Sequence, residues 1–420
     1  MQPDRKLRVA IDCRIENAQQ GIGTAVLALA KALSDSMKTN HEYTFIVRED
    51  MVEWLAPYIY GPCKLVGLPT PMFSRVKASL RWIAPLRFLW RRVRGGLDHI
   101  PMSDGYLDHI PMSDGYVEAQ RFDVVHFPTQ AAYRTSLPSI YQPHDLQHLH
   151  YPEFFSKAEF ALREKQYRAF CDRASYVCVH AEWTRQDVIK HYGLPSDKVV
   201  VIPWGVVFDA YTSPSVESTR AAIERYRLPK RFFFYPAVTW PHKNHEIILR
   251  ALCVLKERHG RTPSAYFTGA ATTFRLVIDR MAQALGVYDQ IHHLGFVAPE
   301  ELQTIYRAAT AMVYASKFEG FGLPLLEAFQ AGLPVLSSNA SVLPEIAQDG
   351  ALYFDPNSPE ELAQLMLRML DDEQTRQNLI RRGSNVLSQY SFAKTAADFQ
   401  DLYVRTASRG VNNPAPKARP

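Results

Sequence analysis

Short apolar runs recur along the chain, each followed by a stretch with helical apolar spacing. Leu7–Asp12 (LRVAID) reads as a buried strand, Gly21-Ile22-Gly23-Thr24 as a Gly-rich turn, and Ala25–Leu33 as a helix. Tyr43–Arg48, Phe122–Phe127, Ser175–His180 and Val199–Pro203 continue the strands, and Lys157–Asp172 is helical. A second series starts near Arg231. Its strands are Phe232–Ala237, Ala265–Gly269, His292–Phe296, Ala311–Ala315 and Val335–Ser337. Its helices are His245–Arg258, Phe274–Leu285, Pro299–Ala309 and Leu323–Ala331. Strands alternating with helices indicate parallel sheets. The reading is α/β, with two Rossmann-like domains joined near residues 205–230, where Thr212–Leu228 forms a polar helical connection.

Composition narrows the class. A chain of 420 residues is long for one domain and can bury its core without staples. Apolar residues make up 47% and charged residues 22%, which is globular. A net charge of +5 is too small to argue for nucleic acid as a partner. The five cysteines, at 13, 63, 171, 178 and 253, are odd in number and lack CxxC spacing. That argues for a reducing compartment, against a disulfide framework and against a zinc site. The chain has no apolar run of membrane-spanning length and no signal-peptide pattern at its start, so a cytoplasmic protein is expected.

Two segments stand apart. LDHIPMSDGY at 97–106 repeats at 107–116, too few copies for a repeat fold, and reads as a duplication within an inserted surface loop at 95–118. Pro71–Gly96 holds seven Lys/Arg and no acid. In its second half Leu86, Leu89, Trp90 and Val93 fall on one helical side, with Arg87, Arg91, Arg92 and Arg94 on the other. This face suits an anionic membrane surface or lipid acceptor, or is an ordinary solvated basic face.

Three segments carry candidate chemistry. Glu319-Gly320-Phe321-Gly322-Leu323 joins a strand to a helix that Pro324 helps to start and Gly332 to end. Free N–H groups there form an anion site, and Gly320 and Gly322 let the backbone approach a phosphate. Glu319 and Glu327 would accept hydrogen bonds from hydroxyls beside that phosphate, the profile of a sugar–nucleotide site; the alternative is a plain Gly-containing strand-to-helix turn with two surface glutamates. Pro241-His242-Lys243-Asn244 also follows a strand, and Lys243 would neutralise a diphosphate. Pro143–His150 (PHDLQHLH) reads either as a catalytic loop with His144 facing a sugar or as a His-rich surface turn. It lacks a fourth ligand and zinc spacing, and the chain holds no Asp-x-Asp, so no metal is expected.

These motifs together resemble the retaining glycosyltransferase family 4, which has the GT-B fold of two Rossmann-like domains facing each other across a cleft. Glu319…Glu327 is similar to the family's E-x7-E signature. Gly21-Ile22-Gly23, Phe122–His126, His144-Asp145, Thr184-Arg185, Ile202–Val206 and Lys243-Asn244 fall in the family's order. So do Phe267–Gly269, Leu294–Val297 and Leu343–Glu345. Three positions depart from the pattern: His242 replaces an Arg, Trp204 an Asn and Ala181 a Ser.

The resemblance implies roles. Glu327 would bind the donor ribose and Glu319 the sugar hydroxyls. The amides of Gly320, Phe321, Gly322 and Leu323 would hold the distal phosphate and the sugar. Lys243 would bind the diphosphate. Phe296 and Val297 would lie near the base, His144 at the transferred sugar, and Gly21 and Gly23 near phosphate and acceptor. It implies an acceptor domain at 1–205, a donor domain at 206–390 and a helix at 391–408 returning to the first domain; residues 409–420 read, from their own composition, as a disordered tail. The expected reaction is metal-free, cofactor-free transfer of a hexose from a nucleotide sugar, GDP-mannose or a related GDP-sugar favoured. The acceptor would be a glycan or lipid-linked glycan in bacterial polysaccharide or O-antigen synthesis. A nucleotide-sugar epimerase or hydrolase, and a non-catalytic membrane-associated assembly partner, are the alternatives.

Overall fold

A computed structural model describes residues 5–14, 21–36, 40–69, 110–207 and 213–410. The basic segment Pro71–Gly96, the first repeat copy and the tail beyond residue 410 lie outside the described residues.

A first sheet of seven strands has the order β3-β2-β1-β4-β5-β6-β7. These are β1 (Arg8–Asp12), β2 (Glu42–Arg48), β3 (Cys63–Leu68), β4 (Val124–Phe127), β5 (Ser139–Tyr141), β6 (Tyr176–Val179) and β7 (Val199–Val201). The pairings from β3 through β6 are parallel. A second sheet of six strands has the order β10-β9-β8-β11-β12-β13, every pair parallel. Its members are β8 (Phe232–Pro236), β9 (Ser264–Thr268), β10 (Ile291–Gly295), β11 (Ala311–Tyr314), β12 (Val335–Ser338) and β13 (Ala351–Phe354). Two parallel sheets interleaved with helices are the two Rossmann-like domains that the sequence predicts.

Central parallel strands are covered on both faces, so they carry continuous apolar runs. Phe232, Phe233, Phe234 and Tyr235 of β8 are all at most 1% exposed. Ala311–Tyr314 of β11 is buried throughout. Both strands end where candidate residues begin, at Lys243 and Glu319.

Sequence and structure differ locally. Gly21, Ile22 and Gly23 are the first turn of the helix Gly21–Ser34 rather than a separate turn. β3, β5 and β13 add strands that the pattern did not give. The last helix runs Phe392–Gly410, past the expected end at 408 and into the tail expected from 409. The second repeat copy lies within the described residues from Ile110 onward. Its Ser113 N–H donates to the Arg134 carbonyl at 2.8 Å, and Asp114 accepts from the Tyr116 N–H and from Arg14.

By compactness the chain divides into two units. One comprises residues 1–142, 155–177 and 401–420; the other comprises 143–154 and 178–400. In the first, Tyr403 is fully buried, with its hydroxyl 2.9 Å from His126 Nδ1 and its ring 5.8 Å from that of Tyr43. Arg405 and Arg409 lie over the Tyr176 ring. In the second, Thr395 donates to the Pro203 carbonyl at 2.7 Å. Gly205 sits against Ser391 and Phe392, where a Cβ would come within 2.0 Å of the Phe392 nitrogen. All five cysteines are free thiols.

Candidate active site

The Glu319 turn follows β11. Gly322 precedes the helix Leu323–Gln330 with φ +104°, a conformation that disfavours any residue with a Cβ. Helix formation at Leu323, with Pro324 in its first turn, leaves the leading N–H groups without helical acceptors. The turn is anchored by Ser341, which accepts from the Glu319 N–H at 3.0 Å and donates to its carbonyl at 3.1 Å.

Lys243 closes the site from β8. Pro241–Lys243 forms one tight turn, followed by Asn244 at φ +55°, whose side chain donates to the Pro356 carbonyl. The Lys317 N–H donates to the His242 carbonyl at 2.8 Å, stitching the two loops together. Tyr235 bridges beneath them: its hydroxyl donates to the Lys243 carbonyl at 2.7 Å and lies 2.9 Å from Ser316 Oγ.

These anchors bring Lys243 Nζ to 2.5 Å from Glu319 Oε1, with both side chains largely buried. The two residues therefore act as one unit. Burial pushes the Glu319 carboxyl upward, but Lys243 outweighs it and holds the group below the usual range. His242 is lowered to about 3 by burial and by Lys243, so the position where the family has an Arg carries no charge at neutral pH.

Glu327 projects from the next turn of the helix. The Tyr306 hydroxyl donates to it at 2.6 Å. Burial raises its carboxyl to about 7, against the lowering effect of Tyr306. At neutral pH the group is thus near its titration midpoint, and added hydrogen-bond donors would favour its carboxylate form.

The His144 loop packs against the same turn. A Cβ on Gly320 would lie 2.5 Å from the His144 carbonyl oxygen, so only glycine allows this approach. His144 is 8% exposed and held at φ +65°, an uncommon conformation for a residue with a side chain. Its ring lies 5.4 Å from that of His180, which stacks on Trp204 at 4.2 Å. Trp204 is 3% exposed, so it supports His180 from the core. Phe321 packs near His180 and Tyr390.

Not every candidate joins this group. Phe296 is 60% exposed beyond β10, Val297 is buried beside it, and neither has a contact described with Lys243, Glu319 or Glu327. Gly21 and Gly23 belong to the other unit.

Sequence reasoning missed two features. Ala181 cannot cap the helix Glu182–Tyr192, and Glu345 does so instead, accepting from the Glu182 N–H at 2.6 Å and the Trp183 N–H at 2.8 Å. The other is Tyr306, whose pattern in Pro299–Ala308 reads only as helical core.

Two doubly wound parallel sheets, with a Gly-rich turn between two glutamates at the carboxyl end of a central strand, define a GT-B glycosyltransferase. The family described as Glycosyltransferase Family 4 matches residues 20–210, and Glycosyl transferases group 1 matches residues 218–386. The chain belongs to the glycosyltransferases that join these two domains. It is 29% identical over 265 residues to the O-antigen chain mannosyltransferase B of Escherichia coli, covering 62% of this chain and 68% of that one. It is 30% identical over 230 residues to the serotype-specific mannosyltransferase WbdA of Escherichia coli, but that match spans only 28% of WbdA. The D-inositol 3-phosphate glycosyltransferase of Corynebacterium glutamicum is 28% identical, over 57% of this chain and 60% of its own.

Among solved structures, Anabaena Alr3699/HepE in complex with UDP-glucose superposes with a TM-score of 0.70 at 16% identity, over 95% of this chain and all of that one. WaaG, a glycosyltransferase involved in lipopolysaccharide biosynthesis, gives 0.63 at 15%, over 94% and 99%. These likenesses concern the fold. Among the described residues no helix is long and apolar enough to cross a membrane.

Proposed function

We propose that the protein is a retaining hexosyltransferase. It takes its sugar from a nucleotide sugar, GDP-mannose or a related GDP-sugar favoured, and builds a glycan or lipid-linked glycan of a bacterial surface polysaccharide. The observation that carries this is the Lys243–Glu319 ion pair at the Gly320–Leu323 turn, with Glu327 one helical turn further on. The mannosyltransferase names of the sequence relatives support the choice of sugar.

Departure of the nucleoside diphosphate builds negative charge. Lys243 and the amides at the start of the helix Leu323–Gln330 oppose it, and such preorganised donors are a large source of rate. In this reading an arriving diphosphate competes with Glu319 for Lys243, which releases the carboxylate to accept sugar hydroxyls. Donor binding and sugar positioning are thereby coupled through one ion pair. His144 lies beside the transferred sugar, its backbone fixed against Gly320. Phe296 and Val297 lie near the base, and Gly21 and Gly23 near phosphate and acceptor. Retention proceeds by front-face displacement, which needs no protein nucleophile. No metal takes part in this step. The basic segment Pro71–Gly96 provides the membrane or lipid-acceptor surface at the inner face of the plasma membrane.

The test offers purified protein GDP-mannose, UDP-glucose and dTDP-sugars with a mannose-terminated glycan and follows the new anomeric proton by NMR. The expected product is an α-linked hexose from GDP-mannose, formed by wild type and lowered at least a hundredfold in kcat by Lys243→Ala. An inverted product would overturn retention. Consumption of donor without acceptor would favour the epimerase or hydrolase reading.

A further inference from the structure

The helix Glu182–Tyr192 presents Asp187 and His191 one turn apart, and His150 reaches them from the segment Pro143–Phe154. His150 Nε2 lies 2.9 Å from both oxygens of the Asp187 carboxylate, and His191 Nε2 lies 3.4 Å from Oδ1. All three ligand atoms fall within 4.8 Å of one another. Asp187 is 7% exposed, and among the described residues both of its ion-pair partners are histidines.

We propose that His150, Asp187 and His191 form a binding site for a borderline divalent cation of the zinc class. Two imidazoles and one carboxylate suit zinc, nickel or copper, whereas magnesium and calcium prefer oxygen ligands. The two imidazole–carboxylate spacings agree with this. For bonds of about 2.05 Å, ligand atoms 2.9 Å apart subtend about 90° and those 3.4 Å apart about 110°, within the range of octahedral and tetrahedral coordination. His191 is half-buried, with its side chain 32% exposed. Aromatic rings flank one side of the cluster: the His150 ring lies 4.9 Å from that of Phe318 and 5.6 Å from that of Trp183.

The ion would act as a clamp. It ties the segment that carries His144 to the helix Glu182–Tyr192, and through Phe318 it steadies the turn that begins at Glu319. It does not touch the proposed donor phosphates, so the clamp and the metal-free transfer step stand or fall separately. The sequence hid this set because its second and third ligands, Asp187 and His191, lie 37 and 41 residues beyond the first, His150.

The test is calorimetric titration of chelator-treated full-length protein with zinc chloride, nickel chloride and magnesium chloride, paired with thermal unfolding. Wild type is expected to bind one zinc or nickel ion per chain, to unfold at higher temperature when it does, and to ignore magnesium. His191→Ala removes a half-buried ligand without touching the Lys243–Glu319 pair. It should bind at least tenfold more weakly with an unchanged circular dichroism spectrum. No zinc binding by wild type, or equal binding by His191→Ala, would overturn the proposal and leave the cluster as a plain His–Asp ion pair.

Discussion

Glu327 shows how one buried carboxyl sets a pH response. Its folded pKa, about 7, lies above the ordinary carboxyl value because burial outweighs the Tyr306 hydrogen bond. The sign follows from linkage. The protonated form is favoured in the folded chain, so this group's contribution to stability is greatest at low pH and is lost as pH rises through about 7. In the proposed function donor binding runs the other way, because a ribose diol held by Glu327 needs the carboxylate as acceptor. Nucleotide affinity should therefore rise between about pH 6 and 8, and Glu327→Gln should flatten that rise. The nucleotide's own terminal phosphate also gains charge in this range, so the difference between the two titration series is the readout. Lys243 and Glu319 are 76 positions apart, and each motif can be read in the sequence, but their pairing cannot. It requires the two loops to be stitched by the Lys317–His242 backbone bond.

At the scale of elements, the patterns that were easiest to read are those with two buried faces. β8 and β11 are continuous apolar runs, and the helix Leu323–Gln330 carries Pro at its start and Gly332 beyond its end. β5 escaped notice because three residues are too few for any period. The Gly21 turn was misread because glycine signals a turn locally, while the following apolar spacing extends the helix back over it. The cap on Glu182–Tyr192 was invisible for a different reason. Its acceptor, Glu345, lies 163 residues from Glu182, and no local rule connects them. Removing it by Glu345→Ala leaves two helix-end donors unsatisfied and should cost about 1 kcal/mol in denaturant unfolding. Adding Ala181→Ser should restore part of that loss, because Ala181 already has the extended backbone of a capping residue.

For the whole molecule, the two sheets give the architecture, and the repeat is the feature that bears least on it. The two copies are identical, so deleting ten residues leaves the same sequence whichever copy goes. The bonds of Ser113 and Asp114 to Arg134, Tyr116 and Arg14 can then be kept. The shortened chain should match wild type in melting temperature and in turnover, and a loss in either would give the duplicated loop a role. The central claim, that Lys243, Glu319 and Glu327 hold a nucleotide sugar without a metal, is tested most directly by thermal unfolding with GDP, UDP, ADP and dTDP, each with and without EDTA, in wild type and Glu327→Ala. At a hundredfold excess over Kd a specific ligand adds about 2.7 kcal/mol. The account predicts that one nucleotide, GDP first, raises the wild-type transition equally with and without EDTA, and that Glu327→Ala loses most of the effect. A transition unmoved by every nucleotide, or one raised as much in the variant as in wild type, would contradict it.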